Sequence, residues 1–285
     1  MSDAILVVGG DGRLGAALIE EGRRRGLPMA HTTRRDPAPA PSGFHLDLAH
    51  PVSDWLPPRA FRAALLCAAV TRLETCRSDP AGTRRINVTH TVALAESLAR
   101  AGIFVVFPST NLVFNGSRPR PAPGDPPSPQ TEYGRQKAAA EAALAALADA
   151  VAVVRLTKVL HPDWDLLRNW IASLRAGRII RPFSNRVCSL IPLDLAIQGL
   201  LTVAREARAG VWQFSADDEV TYAEIARHLA LRLGTDPALV EPVVADPVED
   251  APAHAALDAS RARRELGLHF PPSLAALDHV LFPDA

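Results

Sequence analysis

Ala4-Ile5-Leu6-Val7-Val8-Gly9-Gly10-Asp11-Gly12-Arg13-Leu14-Gly15 opens the chain and decides its fold. Ala4 to Val8 is a short apolar run with the composition of a buried strand, and the segment Ala16 to Arg25 that follows is amphipathic and helical in pattern. Glycines at 9, 12 and 15 punctuate the join. In a strand, turn, helix unit such glycines let the backbone turn sharply, approach a pyrophosphate closely and seat the helix on its strand. The helix N-terminus then presents its dipole to an anion. A glycine-rich turn that binds nothing has the same letters, so the position between strand and helix carries the dinucleotide reading. The spacing is Gly-x-x-Gly-x-x-Gly, which departs from the Gly-x-Gly-x-x-Gly form.

Working outward, Pro28 to Thr33 reads as a second strand, and Arg34 and Arg35 stand at its end where an NAD site would carry an acid for the ribose hydroxyl. Arginines there suit a 2′-phosphate, with Arg13 as a third cation, so NADP(H) is favoured over NAD(H). A solvated basic loop is the competing reading. Phe44 to Leu48 is a third strand, and its Asp47 is placed to accept from an adenine amino group or to stand as a surface acid. Phe61 to Val70 is apolar enough for the buried middle of a parallel sheet, with Ala68 and Ala69 leaving room for a cofactor at its carboxyl end. A helix from Arg84 to Arg100 leads to a strand at Ile103 to Phe107, which ends in Pro108-Ser109-Thr110-Asn111. Hydroxyls at a strand's carboxyl end are where open α/β sheets put ligands, although ordinary turns also use them. The segment Arg118 to Gln130 holds six prolines and predicts an extended, mobile loop over the site.

Pro129-Gln130-Thr131-Glu132-Tyr133-Gly134-Arg135-Gln136-Lys137 sets a tyrosine and a lysine four residues apart at the start of an Ala-rich helical run continuing through Ala138 to Ala150. That spacing puts both side chains on one helix face. An interfacial Tyr beside a solvated Lys would give the same pair. Val151 to Leu156 is a further buried strand, and the strand-helix alternation over about 160 residues predicts a doubly wound parallel sheet of Rossmann type. Beyond it comes a smaller mixed α/β lobe for substrate: a helix at Asp165 to Arg175, a strand at Val187 to Ile191, a helix at Leu193 to Arg205 and a strand at Val211 to Phe214. A capping box at Thr221 and Glu224 then opens another helix. The expected division is residues 1–160, rejoined by about 189–206, against 161–285.

Bulk composition bounds the function. The chain has 285 residues, 48% hydrophobic and 22% charged, with mean hydropathy +0.05 and no formal net charge. A chain of this length buries roughly three quarters of its unfolded surface. Zero net charge gives no global field for nucleic acid or an anionic membrane. No apolar run is long enough for a membrane span, and Met1-Ser2-Asp3 lacks a secretory leader's basic region, so the expectation is a cytoplasmic protein. Cys67, Cys76 and Cys188 have no Cys-x-x-Cys spacing and read as packing residues, and the scattered histidines predict no metal site.

Taken together and in order, these motifs resemble an extended short-chain dehydrogenase/reductase, and within that group the chain is most similar to the dTDP-4-dehydrorhamnose reductase family. The resemblance rests on Gly9-x-x-Gly12-x-x-Gly15, Cys67-Ala68-Ala69-Val70-Thr71, Ile86-Asn87-Val88, Ser109-Thr110-Asn111-x-Val113-Phe114 and Pro129-x-x-x-Tyr133-Gly134-x-x-Lys137. Later landmarks are Leu190 to Ala196, Gly210-Val211-Trp212 with Ser215, and Leu257-Asp258. It implies an NADP-dependent reductase of a keto group on a nucleotide-activated deoxysugar, in dTDP-rhamnose biosynthesis, working as a homodimer through the Asn87 and Ala138 helices. Tyr133 would be the proton donor, Lys137 its charged partner and holder of the nicotinamide ribose, and Thr110 a hydrogen-bond donor to the reacting oxygen. The pair's charge and an oxidised nicotinamide would lower the tyrosine's pKa.

By the same resemblance the cofactor contacts are Gly9, Gly12, Arg13, Leu14, Gly15, Arg34, Arg35, Asp47, Leu48, Ala68, Ala69 and Lys137. Ser109, Asn111, Asn169 and Arg186 would touch substrate, the last two having structural readings as well, and Asn87 would belong to a proton relay. Three departures from the family pattern stand out: Asn111-Leu112 replaces an acid and an aromatic residue, Ala251 stands where an arginine is common, and Pro123 replaces an acid. A related sugar-nucleotide epimerase or dehydrogenase remains an alternative. So does a cofactor-binding regulatory subunit like the one that partners methionine adenosyltransferase.

Overall fold

The computed structural model describes residues 3–35, 43–246 and 252–283. The chain divides into two compact units. The first holds Met1–Val113, Pro126–Leu156 and Ile197–Gln213, and the second holds Phe114–Asp125, Thr157–Ala196 and Phe214–Ala285.

The first unit alternates strand and helix: β1 (Ile5–Val8), α1 (Arg13–Arg24), β2 (Met29–Thr33), β3 (Gly43–His45), β4 (Ala63–Leu66), α2 (Leu73–Ser78), α3 (Pro80–Arg84), α4 (Thr91–Arg100), β5 (Phe104–Thr110), α5 (Glu132–Leu144) and β6 (Val151–Leu156). β7 (Lys158–Leu160), α6 (Asp165–Arg175), β8 (Val187–Cys188) and β9 (Leu190–Pro192) follow in the second unit, and α7 (Leu193–Glu206) carries the chain back to β10 (Gly210–Phe214). Seven strands form one sheet in the order β10-β6-β5-β4-β1-β2-β3, and the successive pairs from β3 through β6 are parallel. β1, β4, β5 and β6 are buried throughout, as strands covered on both faces must be. Their side chains, with Leu94 and Leu98 of α4 and Leu144 of α5, make the core of this unit. This is the Rossmann-type doubly wound sheet expected from the alternation.

Several boundaries moved, each for a local reason. The expected strand 61–70 is regular only over Ala63–Leu66, because Cys67 and Ala68 both turn their N–H groups to the Val8 carbonyl. The strand expected at 44–48 shrinks to Gly43–His45, and Leu46 ends it by donating to the Thr33 carbonyl. The expected helix 84–100 is α3, a π-helical turn at Arg85–His90 and then α4. β5 runs three residues further than expected, so Ser109 and Thr110 belong to the strand itself. The Ala-rich helix ends at Leu144 and continues as a 3₁₀ turn to Ala150, broken where Ala148 takes a φ of 45°.

The second unit has its own core, built from Leu167, Trp170 and Leu174 of α6 with Leu160, Leu190, Ile225 and Leu229. β11 (Val220–Thr221), α8 (Tyr222–Leu233), α9 (Ser260–Leu266) and α10 (Ser273–Leu281) complete it. The single strand expected at 187–191 is two: β8 pairs antiparallel with β11, and β9 pairs parallel with β7. The Thr221–Glu224 capping box at α8 is present. The proline-rich segment 118–130 is pinned, against the expectation of a mobile loop: Arg120 meets Asp217, the Pro121 carbonyl accepts from Asp258, and Ser128 donates to the Val113 carbonyl. Among the described residues no helix is long and apolar enough to cross a membrane.

Candidate active site

Between β1 and α1 the chain has no room for side chains on its inner face. Gly9 has a φ of +87°, and a Cβ built on it would lie 2.7 Å from the Ala68 nitrogen. A Cβ on Gly15 would stand 2.3 Å from the Gly9 carbonyl oxygen, so α1 sits against the turn at a distance only glycine permits. At Gly12 the nearest atom would be 3.4 Å away, and Gly12 and Arg13 are exposed, which leaves the outer face of the turn open. The turn is tied to β2 by Gly9 N–H donating to Thr32 Oγ1 (3.0 Å) and Gly10 N–H to the Thr32 carbonyl (2.9 Å). No side chain caps the start of α1, and no acid lies in its first turn. An open glycine turn at an uncapped helix start fits the pyrophosphate of a dinucleotide. Gly10 was missed by the glycine spacing: a Cβ there would meet His31 at 2.7 Å.

The other residues expected at a cofactor line the same sheet edge. Arg34 and Arg35 are exposed after β2, and Arg35 lies 3.9 Å from Asp11, whose carboxylate accepts from Thr33 Oγ1 at 2.5 Å. Asp47 accepts from the Ala49 N–H (2.9 Å), the Leu48 carbonyl lies 2.7 Å from His90 Nδ1, and Leu14, Ala68 and Ala69 are half-buried.

α5 begins with Thr131, whose hydroxyl accepts from the Gly134 N–H, so Tyr133 and Lys137 occupy the first two turns. Gly134 allows this start to close on the turn after β5, since a Cβ there would lie 2.1 Å from the Leu112 carbonyl oxygen. Thr110 ends β5, with its hydroxyl accepting from Leu112 N–H (3.2 Å) and 3.4 Å from Asn111 Oδ1. Lys137 is buried, donating to the Pro108 carbonyl at 2.6 Å with its ammonium 3.6 Å from the centre of the Phe107 ring. Burial lowers its pKa from 10.5 to about 7, opposed by the Glu141 carboxylate and the Cys67 thiol. Burial, with a smaller contribution from Cys76, pushes the Tyr133 phenol above the ordinary tyrosine range, against the lowering expected from the pairing with Lys137.

Two buried polar chains brace this helix, and their members Gln136, Glu141 and Arg155 were not singled out from the sequence. Asn87, in the π-helical turn, accepts from Val70 N–H and donates to the Val70 carbonyl and to Gln136 Oε1, all at 2.8 Å. Gln136 passes this on to Thr83. On the other side Ser109 donates to Glu141, and Glu141 is bridged to Arg155, with 2.8 Å between Oε2 and the nearest guanidinium nitrogen. The Ser109 hydroxyl is thus committed inside the protein. The only advance signal was the placement of Glu141 one helical turn beyond Lys137 in an otherwise alanine-rich run.

Asn169 and Arg186 belong to the second unit. Asn169 is exposed on α6, and Arg186 donates to the Asp246 carbonyl (2.8 Å). Ala251 lies outside the described residues. Among those described, no three His, Cys, Asp or Glu side chains gather as a metal site.

Residues 3–283 match the model of the RmlD substrate binding domain. A dTDP-4-dehydrorhamnose reductase of Mycobacterium tuberculosis is 27% identical over 85% of this chain and 79% of its own length. The methionine adenosyltransferase 2 subunit beta of Bos taurus is 24% identical over 90% of this chain and 80% of its own. Among solved structures, a dTDP-4-dehydrorhamnose reductase from Clostridium acetobutylicum superposes with a TM-score of 0.85 at 19% identity, covering 98% of each chain. One from Bacillus anthracis in complex with NADP gives 0.83 at 18%, covering 100% of each.

Proposed function

This chain belongs to the family of the RmlD substrate binding domain, extended short-chain dehydrogenases/reductases that use a nicotinamide cofactor, and from that premise we propose an NADPH-dependent reductase of a keto group on a nucleotide-activated deoxysugar. Reduction of a 4-keto sugar of the rhamnose type is the leading substrate. The observation that carries the reading is the joint of α5 on β5: Tyr133 and Lys137 one turn apart on the helix, and Lys137 bonded to the strand that ends in Thr110.

The turn of Gly9, Gly12 and Gly15 with Arg13 and Leu14 would hold the pyrophosphate, Arg34 and Arg35 the 2′-phosphate, Asp47 and Leu48 the adenine end, and Ala68 and Ala69 would flank the nicotinamide half. When bound, the cofactor supplies a hydride to the carbonyl carbon. Tyr133 donates its proton to the carbonyl oxygen; burial raises its phenol above the ordinary tyrosine range, so the transfer depends on positive charge beside it to bring that pKa back down. Lys137, one turn on, balances the resulting tyrosinate. The Thr110 hydroxyl orients the oxygen and stabilises its growing charge. Asn111, Asn169 and Arg186 are the proposed sugar-nucleotide contacts, and Ser109 holds the strand rather than the substrate.

A second reading, a cofactor-binding regulatory subunit, is favoured by the relatives named as subunit beta of methionine adenosyltransferase 2. The proposed Thr110, Tyr133 and Lys137 machinery speaks for turnover. The deciding experiment follows loss of NADPH and NADH absorbance against a panel of nucleotide 4-keto-6-deoxysugars, the dTDP-linked one included. Turnover is the expected result. Silence across the panel, with NADPH binding confirmed separately, overturns the reductase and favours the subunit reading.

A further inference from the structure

The proposed reaction leaves unexplained a pair of charges that a core would ordinarily exclude. Glu141 and Arg155 are both buried, at 7% and 4% exposure, and a buried ion pair is weak evidence for stability in itself, because desolvation offsets the attraction. Their geometry is nonetheless fully built. Arg155 Nε and Nη2 both reach Glu141 Oε2, at 3.0 and 2.8 Å, Arg155 Nη1 reaches Gln213 at 3.3 Å, and the Ser109 hydroxyl donates to Glu141 Oε1. Glu141 is four residues after Lys137 on α5, so the two side chains share a helix face. The two contacts on β5 are adjacent in sequence: Lys137 takes the carbonyl of Pro108, and Glu141 takes the hydroxyl of Ser109. The next residue is Thr110.

We propose that Glu141 is a positioning residue for the reductase site: its carboxylate is the buried counter-charge one helical turn from Lys137, Arg155 limits its strength, and Ser109 transmits its anchorage to Thr110. The inference rests on the reductase reading for its purpose and on the geometry for its existence. The Lys137 ammonium contacts the Phe107 ring and the Pro108 carbonyl on β5 and feels the Cys67 thiol after β4 and the Glu141 carboxylate on α5, with Tyr133 one turn earlier on the same helix. The Glu141 carboxylate is the larger of the two groups that oppose the desolvation of Lys137, so a neutral replacement removes most of that opposition.

The chain contains two lysines, Lys137 and Lys158, so the ammonium can be titrated directly. In full-length protein labelled with lysine carrying ¹³C at the ε position, with Lys158→Arg assigning the signals, Glu141→Gln should lower the Lys137 midpoint by about one pH unit. Arg155→Met, which leaves the carboxylate unbalanced, should raise it. A purely structural role predicts lower stability in both variants with no shift, or shifts of the same sign. If a single variant does not fold, the double variant Glu141→Gln with Arg155→Met removes both buried charges together, which proteins commonly tolerate. A midpoint in the double variant at or below the wild-type value supports the proposal; a midpoint raised above the wild type there, or one within about 0.2 units of it in Glu141→Gln, overturns it. The readout needs no substrate and no turnover, so it fails separately from the reductase reading. With an active substrate in hand, the high-pH limb of kcat should follow the same two shifts.

Discussion

Two joints of the first unit carry the proposed chemistry, and they are built by opposite means. At β1 and α1 the chain removes side chains: Gly9 and Gly15 approach within distances no Cβ allows, and what remains is backbone. At β5 and α5 it packs polar side chains into the interior, where Lys137, Glu141, Arg155, Asn87 and Gln136 are all buried. Backbone donors with a helix dipole serve an anion that arrives with its own charge. Proton transfer needs side chains of defined pKa, and pKa is set by burial and neighbours. In the proposed reading the contrast separates binding from chemistry along one sheet edge.

The largest test of that separation is Tyr133→Phe. Loss of a positioned general acid costs about 10²- to 10⁴-fold in rate. The expected result is a kcat lowered by that range with NADPH affinity, measured by fluorescence titration, nearly unchanged. A variant that keeps its rate removes Tyr133 as the donor.

The next effect reads the interior charge as stability. Lys137 has a folded pKa near 7 against an ordinary 10.5, so its ammonium is disfavoured by folding. Between those values the unfolded chain binds more protons, and stability therefore rises with pH across this window. The slope reaches about 1.4 kcal/mol per pH unit. Below pH 7 the penalty is fully present. Denaturant unfolding of the cofactor-free protein from pH 6 to 10 should show this rise, and Lys137→Met should flatten it. Equal slopes in the two proteins would mean that the lysine is not desolvated.

Gly15→Ala probes the other joint at smaller cost. A methyl group aimed at a backbone oxygen forces α1 outward, with overpacking costs of about 1–3 kcal/mol. Gly12→Ala, which meets nothing nearer than 3.4 Å, should leave the unfolding midpoint in place and weaken the cofactor alone. If both variants lost stability equally, the open outer face of the turn would be wrong.

The two joints also differ in how far they could be read in advance. The glycine turn was legible because sterics acts locally: Gly9, Gly12 and Gly15 fall between an apolar run and an amphipathic one, and the parallel sheet follows from that pattern repeating. The Tyr133 and Lys137 pair was legible as a spacing on one helix. Its braces were not, since Glu141 meets Arg155 and Ser109, and Asn87 meets Gln136, across sequence separations of 14, 32 and 49 residues that no local pattern encodes. The expected strand at 187–191 failed for a related reason. Cys188 and Leu190 are two residues apart, but their strands pair with different partners, β11 and β7, in two separate sheets.

The smallest predicted effect falls between the two joints, on Arg34 and Arg35, where the proposed binding uses side chains. Both are exposed, and Arg35 has a weak partner in Asp11 at 3.9 Å. Exposed charges are screened, so each contributes on the order of 1 kcal/mol or less to holding a phosphate. The double substitution Arg34→Ala with Arg35→Ala should weaken NADPH roughly tenfold and leave NADH unchanged. Measuring both affinities at low and at high salt sharpens the outcome. A 2′-phosphate contact predicts that the NADPH loss shrinks as salt rises, while the wild-type affinity for NADH stays nearly constant. Equal losses for the two cofactors would instead make the arginines supports of the β2 end, acting through Asp11 on the glycine turn, and the preference for NADPH would have to come from another part of the site.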